Sequence, residues 1–178
     1  GLQMFSNFQT QQETISQKQQ LIAQDASRQV SSFIQEKFSV LETAVRLTDL
    51  TALPEEEQEK TLSSMLGLHL AFRQLVFLDD QEEEVVAVSR LSQAASGHLT
   101  DQLSEDAWDQ IRQQERYISP VYIDPITNEP MVIMAVPEAN ILGEFQGTLV
   151  AEVNLKFMWD LVDHLNIGEQ GLAYVVDR

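Results

Sequence analysis

The sequence predicts an α+β domain: a long N-terminal helix packed on a five-stranded antiparallel sheet. Three observations carry this. No Pro or Gly interrupts Ile15 to Leu50, and the apolar residues there keep a helical period. Short β-prone runs come in pairs around turn signals. Helical segments stand before and between those pairs rather than alternating with single strands, which favours hairpins over a parallel sheet.

The first helix carries Ile15, Ile22, Ala26, Val30, Phe33, Val40, Leu41, Ala44 and Leu47 on one stripe, with Gln24, Arg28, Gln35, Glu42 and Arg46 opposite. At ~1.5 Å per residue it is on the order of 50 Å long. Its beginning, QTQQETISQKQQ, is almost wholly polar and is expected in solvent or against another chain. Lys37 breaks the apolar stripe; its stem is expected to cover core while its ammonium reaches water.

Pro54 and three glutamates open a second helix, since proline suits the first turn and acids there favour the macrodipole. Its buried side is expected at Leu62, Met65, Leu66 and Leu70. Leu75 to Leu78 and Val85 to Val88 then bracket the acidic turn DDQEEE as a hairpin. In LSEDAWDQIRQQ, a Ser N-cap followed by acids starts a short helix. Two more strands flank DPITNEP, ILGEFQG makes a turn, and TLVAEVNL is the fifth strand of the sheet. KFMWDLVDHLNIG reads as a helix closed by Gly168, and GLAYVVDR as a last strand without a sequential partner.

At 178 residues and 43% hydrophobic content the chain can bury a real core. A formal charge of −17 repels phosphate backbones and anionic lipid headgroups, so nucleic-acid binding is disfavoured. The absence of cysteine excludes thiolate chemistry, disulfides and Cys-based zinc sites. No apolar run approaches the ~20 residues that span a bilayer, and no signal peptide is evident.

Catalytic signals are missing. His69, His98 and His164 lie far apart, and no GxSxG, HExxH or phosphate-cradling loop occurs. DDQEEE lacks the spaced ligands of a calcium loop and reads as a solvated turn. The chain is therefore read as a non-enzyme, with no metal or other cofactor. An acid-dependent hydrolase would need two facing carboxylates in a cleft, and no pair stands out.

One strand is more informative. Alternation in TLVAEVNL puts Thr148, Val150, Glu152 and Asn154 on one face and Leu149, Ala151, Val153 and Leu155 on the other. A carboxylate in mid-strand needs a partner. Either a cation of the protein pairs with Glu152, or Glu152 faces a pocket and meets a ligand.

The run SPVYIDPITNEPMVIMAVP, followed by GEFQGTLVAEVNLKFMWDLV, resembles the Cache superfamily of extracytoplasmic sensor domains, most closely the double Cache type of bacterial histidine kinases and chemoreceptors. The matching features are Ser119, Tyr122 and Asp124, then Thr127 and Pro137, then Gly147, Leu149 and Glu152. The resemblance implies residues 1–50 as a signalling and dimerisation helix and 51–166 as a membrane-distal PAS-like unit. Residues 167–178 would then be the first strand of a truncated, membrane-proximal second unit. It implies a small-molecule site of Tyr122, Asp124 and Glu152, with Trp108, Tyr117 and Arg116 beside it; the ligand would be amine- or amino-acid-like. The string Arg-x-Trp-Tyr, which grips a ligand carboxylate in the amino-acid-binding members, is absent.

The function so implied is ligand sensing for a transmembrane receptor, a histidine kinase first, in a two-component system. The domain would be periplasmic or extracellular, the parent protein membrane-anchored and homodimeric. The alternative is a ligand-free dimerisation or protein-interaction module of a membrane receptor.

Overall fold

The computed structural model describes residues 2–91 and 98–158, with only the backbone course for most of the first 23. The chain divides into two compact units, Gly1–Ile34 with Met158–Arg178, and Gln35–Phe157. The expected helix from Lys156 onward and the strand at GLAYVVDR lie mostly or wholly outside the described residues.

Helix α1 spans Leu2–Leu47. Within the first unit Ala26 and Val30 are buried, one turn apart, while Gln24 and Arg28 are exposed, as the stripe requires. Within the second unit the stripe continues as Phe38, Leu41 and Val45. Phe38 and Val45 were not in the expected stripe, and Leu47, which was, is 80% exposed because the helix ends there. Lys37 is largely buried, with Nζ 3.6 Å from Glu36; burial first, and then the Lys37 charge, lower the pKa of His69.

A 3-10 turn at Leu50–Ala52 leads to α2, Glu55–Leu68, with Pro54 as N-cap. Leu62, Met65 and Leu66 are buried as expected, whereas Leu70 is exposed because the helix has already ended. Gln58 takes a buried place instead, donating to the Leu50 carbonyl at 2.6 Å. Arg90 closes the C-terminus of α2 by donating to the Leu66 and His69 carbonyls, where a cation also meets the negative end of the helix.

Strands β1 (Phe72–Asp79), β2 (Glu84–Ser89), β3 (Tyr117–Ile118), β4 (Tyr122–Ile123), β5 (Pro130–Ala139) and β6 (Phe145–Asn154) form one antiparallel sheet. The order is β2-β1-β6-β5-β3, with β4 also on β5. The five expected strand runs are therefore six strands, because the run before DPITNEP splits in two. Pro120 has no N–H for the ladder, and the Ser119 hydroxyl repairs the gap by accepting from the Ile133 N–H at 2.8 Å.

Helix α3, Glu105–Arg112, is capped as expected: the Ser104 hydroxyl accepts from the Ala107 N–H at 3.1 Å. It covers one sheet face, where Val76, Leu78, Ile133, Ala135 and Val150 pack with Leu99, Leu103, Ala107 and Ile111. The opposite face presents Leu75, Phe77, Met134, Val136, Leu149 and Ala151, all buried. Both faces of β6 are thus covered, which is what makes a carboxylate in it consequential. At Gly147 a Cβ would stand 2.4 Å from the Leu78 carbonyl oxygen, so the approach of β6 to β1 needs glycine there.

Candidate functional site

Glu152 lies on the α3 face of β6, fully buried, opposite Gln74 of β1 and Ile133 of β5. Regular pairing would bring only Gln74 to it. However, β1 bulges between Phe72, opposite Val153, and Gln74, opposite Glu152, so Arg73 is an extra residue. A bulge re-aims a side chain. Here Arg73 and Gln74, neighbours in sequence, both reach Glu152 Oε1: Arg73 Nε at 2.5 Å and Gln74 Nε2 at 2.8 Å.

The second acid comes from the turn. Asp124 closes DPITNEP on itself, with Oδ2 accepting from the Ile126 N–H at 3.2 Å and the Thr127 N–H at 2.7 Å. The same oxygen accepts the Thr127 hydroxyl at 2.9 Å. This is the local side-chain-to-backbone turn that Asp favours. Asn128 takes φ 58 and donates its N–H to the Asp124 carbonyl, which completes the reversal into β5. The turn is anchored to the sheet by Asn154, which donates to Glu129 at 2.6 Å, and by Lys156, 3.3 Å from the same carboxylate. Asp124 Oδ1 is left to face inward, where Arg73 Nη2 donates to it at 3.1 Å.

Tyr122 completes the cluster. It sits opposite Met131, on the α3 face, and its hydroxyl donates to Glu152 Oε2. The site is thus two carboxylates bridged by one guanidinium, with a phenol and an amide as further donors.

The electrostatics follow from these contacts. Burial pulls the Arg73 guanidinium toward neutrality, but the hydrogen bonds and charges of Glu152 and Asp124 outweigh it and hold it above its usual pKa. Burial and the bond to Glu152 push the Tyr122 phenol up, so it stays a donor. Burial would raise the Asp124 pKa, yet Thr127 and Arg73 bring it down to about 2.

Of the sequence-derived site residues, Tyr122, Asp124 and Glu152 come together. Trp108 and Tyr117 are half-buried against the same α3-side core; burial raises the Tyr117 pKa, partly offset by a bond with Ser104. Arg116 does not join them. Its guanidinium lies 4.6 Å from the Phe38 ring centroid, donates to Gln35 at 3.0 Å and is 3.6 Å from Glu42, all on α1. There it helps line an open groove of about 370 Å³ with Glu42, Arg46 and Pro137, which borders none of the three clustered residues.

Arg73 and Gln74 were missed. Only their pairing with β6 gives them a role, and no spacing in the sequence reveals which strands are neighbours. Among the described residues no group of three or more His, Asp or Glu side chains is arranged to hold a metal ion.

No family model and no curated protein matches this sequence. Solved structures do. The ligand-binding domain of the Pseudomonas aeruginosa amino-acid chemoreceptor PctC, in complex with GABA, matches with TM-score 0.61 at 13% identity, over 79% of this chain and 61% of that one. The sensory domain of the Campylobacter jejuni chemoreceptor Tlp3, with isoleucine bound, gives 0.60 at 11% identity, over 79% and 60%. An extracellular ligand-binding receptor from Desulfohalobium retbaense gives 0.62 at 11%, over 81% of this chain and 26% of that one. The chain spans about three fifths of the two chemoreceptor domains. Over the part that it covers, the chain shares the α+β fold of these sensory domains, the arrangement that the resemblance of its sequence implied.

Proposed function

We propose that this chain is the extracytoplasmic ligand-sensing domain of a transmembrane signal-transduction receptor. The observation that carries the reading is the cluster of Arg73, Tyr122, Asp124 and Glu152, built where β1, the β4–β5 turn and β6 meet on the sheet face that α3 also packs on. A fold needs no such assembly to be stable: buried ion pairs are weak contributors to stability, and an apolar core would serve as well. Convergent polar groups on a covered sheet face suit the recognition of a small molecule. The fold shared with chemoreceptor sensory domains supports the same reading.

Tyr122, Asp124 and Glu152 are the proposed centre of the site, with Trp108 and Tyr117 as its apolar wall. Arg116 is assigned to α1, and it provides a route by which a change beside β3 reaches that helix. A shift of an ångström or so along α1 suffices to signal if the receptor is bistable. The receptor is proposed to be membrane-anchored and dimeric, with a histidine kinase as the favoured output and a chemotaxis signalling module as the other.

Differential scanning fluorimetry of the purified chain against organic acids, sugars, amides, amino acids and amines tests this. A ligand stabilises the folded chain by RT ln(1 + [L]/Kd) and so raises its melting temperature. A saturable rise that is lost in Tyr122→Ala is the expected result. No rise with any class would contradict ligand sensing and favour a protein-interaction module.

A further inference from the structure

Two buried carboxylates with a phenol beside them make, on chemical grounds, a cradle for a cation. In this chain the cradle is already filled. Seven donors converge on the two carboxylates: Arg73 Nε and Nη2, Gln74 Nε2, the Tyr122 hydroxyl, the Ile126 and Thr127 N–H groups and the Thr127 hydroxyl. Two carboxylates offer about eight acceptor directions in all. An incoming ammonium carries about three donors and would have to evict some of those in place.

The guanidinium is not a loose occupant. Arg73 is 7% exposed, its backbone is fixed by the bulge between Phe72 and Gln74, and its carbonyl accepts from the Arg90 N–H at 2.9 Å. What the cluster still offers is a donor: Arg73 Nη1 is buried and without a hydrogen-bond partner among the described residues.

We propose that Arg73 is a specificity-determining residue: a built-in cation that makes this site refuse ligands read through an ammonium or guanidinium group, leaving Nη1 for an acceptor oxygen of the ligand. The proposal rests on the cluster being the sensing site. It replaces the expectation of an amine- or amino-acid-like ligand with its opposite.

The test uses melting temperatures of the full chain and of Arg73→Ala with GABA, isoleucine, ethylguanidinium and its uncharged shape analogue ethylurea, and with butyrate and 3-methylpentanoate as the amine-free counterparts of the first two. The wild type is expected to respond to none of the three cation-bearing probes. Arg73→Ala is expected to melt lower and to be restored by ethylguanidinium, by about 2–4 °C for each fivefold gain in the folding equilibrium, and not by ethylurea. If Arg73→Ala does not stay folded, its refolding yield in ethylguanidinium against ethylurea reads the same difference. Arg73→Lys keeps a cation in the cradle and is expected to remain insensitive to ethylguanidinium.

Equal effects of ethylguanidinium and ethylurea on Arg73→Ala would overturn the proposal. So would a wild-type rise with GABA or isoleucine that butyrate or 3-methylpentanoate fails to give. The rescue needs no natural ligand, so an empty metabolite screen on the wild type would defeat the sensing function while the Arg73 result still stood or fell by itself.

Discussion

Glu152 of β6 and Glu138 of β5 are removed from water to nearly the same degree, at 0% and 2% exposure, and are held differently. Glu152 faces α3 and has a guanidinium, an amide and a phenol around it. Glu138 points to the opposite sheet face and accepts from the Thr51 hydroxyl at 2.7 Å and, weakly, from its N–H at 3.5 Å, with no cation in ion-pair range among the described residues. Burial raises the Glu138 pKa, Thr51 offsets this only in part, and the neighbouring Asp49 adds to it. Same residue type and same burial thus give two outcomes, a charge closed into a network and a charge tolerated at a cost. The first is the arrangement proposed as the sensing site; the second is a tie between the α1–α2 connection and the end of β5.

The largest effect should come from breaking the first arrangement. Arg73→Ala leaves two buried carboxylates uncompensated and is expected to cost about 3–5 kcal/mol in urea denaturation. A cost under about 1 kcal/mol, the range of exposed pairs, would mean that water reaches the cluster freely. Tyr122→Phe removes only one donor to a charged acceptor and should cost about 1.5–3 kcal/mol.

Glu138→Gln should behave in the opposite way. The amide oxygen still accepts from Thr51, the buried charge is gone, and the change at neutral pH is expected to be neutral or stabilising, within about 1 kcal/mol. A loss as large as that of Tyr122→Phe would show that Glu138 has a cationic partner after all.

The pH dependence separates the two regions further. The folded-state pKa of Asp124 is depressed, so its stabilisation is present above the ordinary value of 3.8 and is lost as pH falls toward about 2. The folded-state pKa of Glu138 is raised above 4.5, so its contribution is favourable below that value and is lost as pH rises through the folded pKa. Denaturation midpoints measured across this range should lose their acid-side fall in Asp124→Asn and the decline above pH 4.5 in Glu138→Gln. If neither variant changes the profile, other groups set it.

The same contrast explains what was legible in the sequence. Local rules found what is local: the apolar period of α1, the start of α2 at Pro54, the Ser104 cap, the acidic turn and the DPITNEP reversal. They also placed Glu152 inside a covered strand, where it stands two residues before the end of β6, and one of the two partners offered for it, a cation of the protein, is in contact with it. Which cation was out of reach. Arg73 stands 79 positions from Glu152, joined to it by strand adjacency and by a bulge that leaves no mark in composition. Arg116 shows the converse: its place in the sequence, close after Trp108, says nothing about the edge of the sheet, where its side chain turns to α1. Leu70 and Leu47 were misplaced because helical periodicity does not announce where the helix ends.

The most direct test of the closed network is a double-mutant cycle between Arg73→Ala and Glu152→Gln, followed by urea denaturation at neutral pH. In the wild-type background Glu152→Gln should destabilise by about 1.5–3 kcal/mol, since charge-assisted bonds are lost. In the Arg73→Ala background the same change removes an uncompensated buried charge and should stabilise, so the sign reverses. An equal cost of Glu152→Gln in both backgrounds would contradict the account, because Arg73 would then not be the group that holds Glu152 in place.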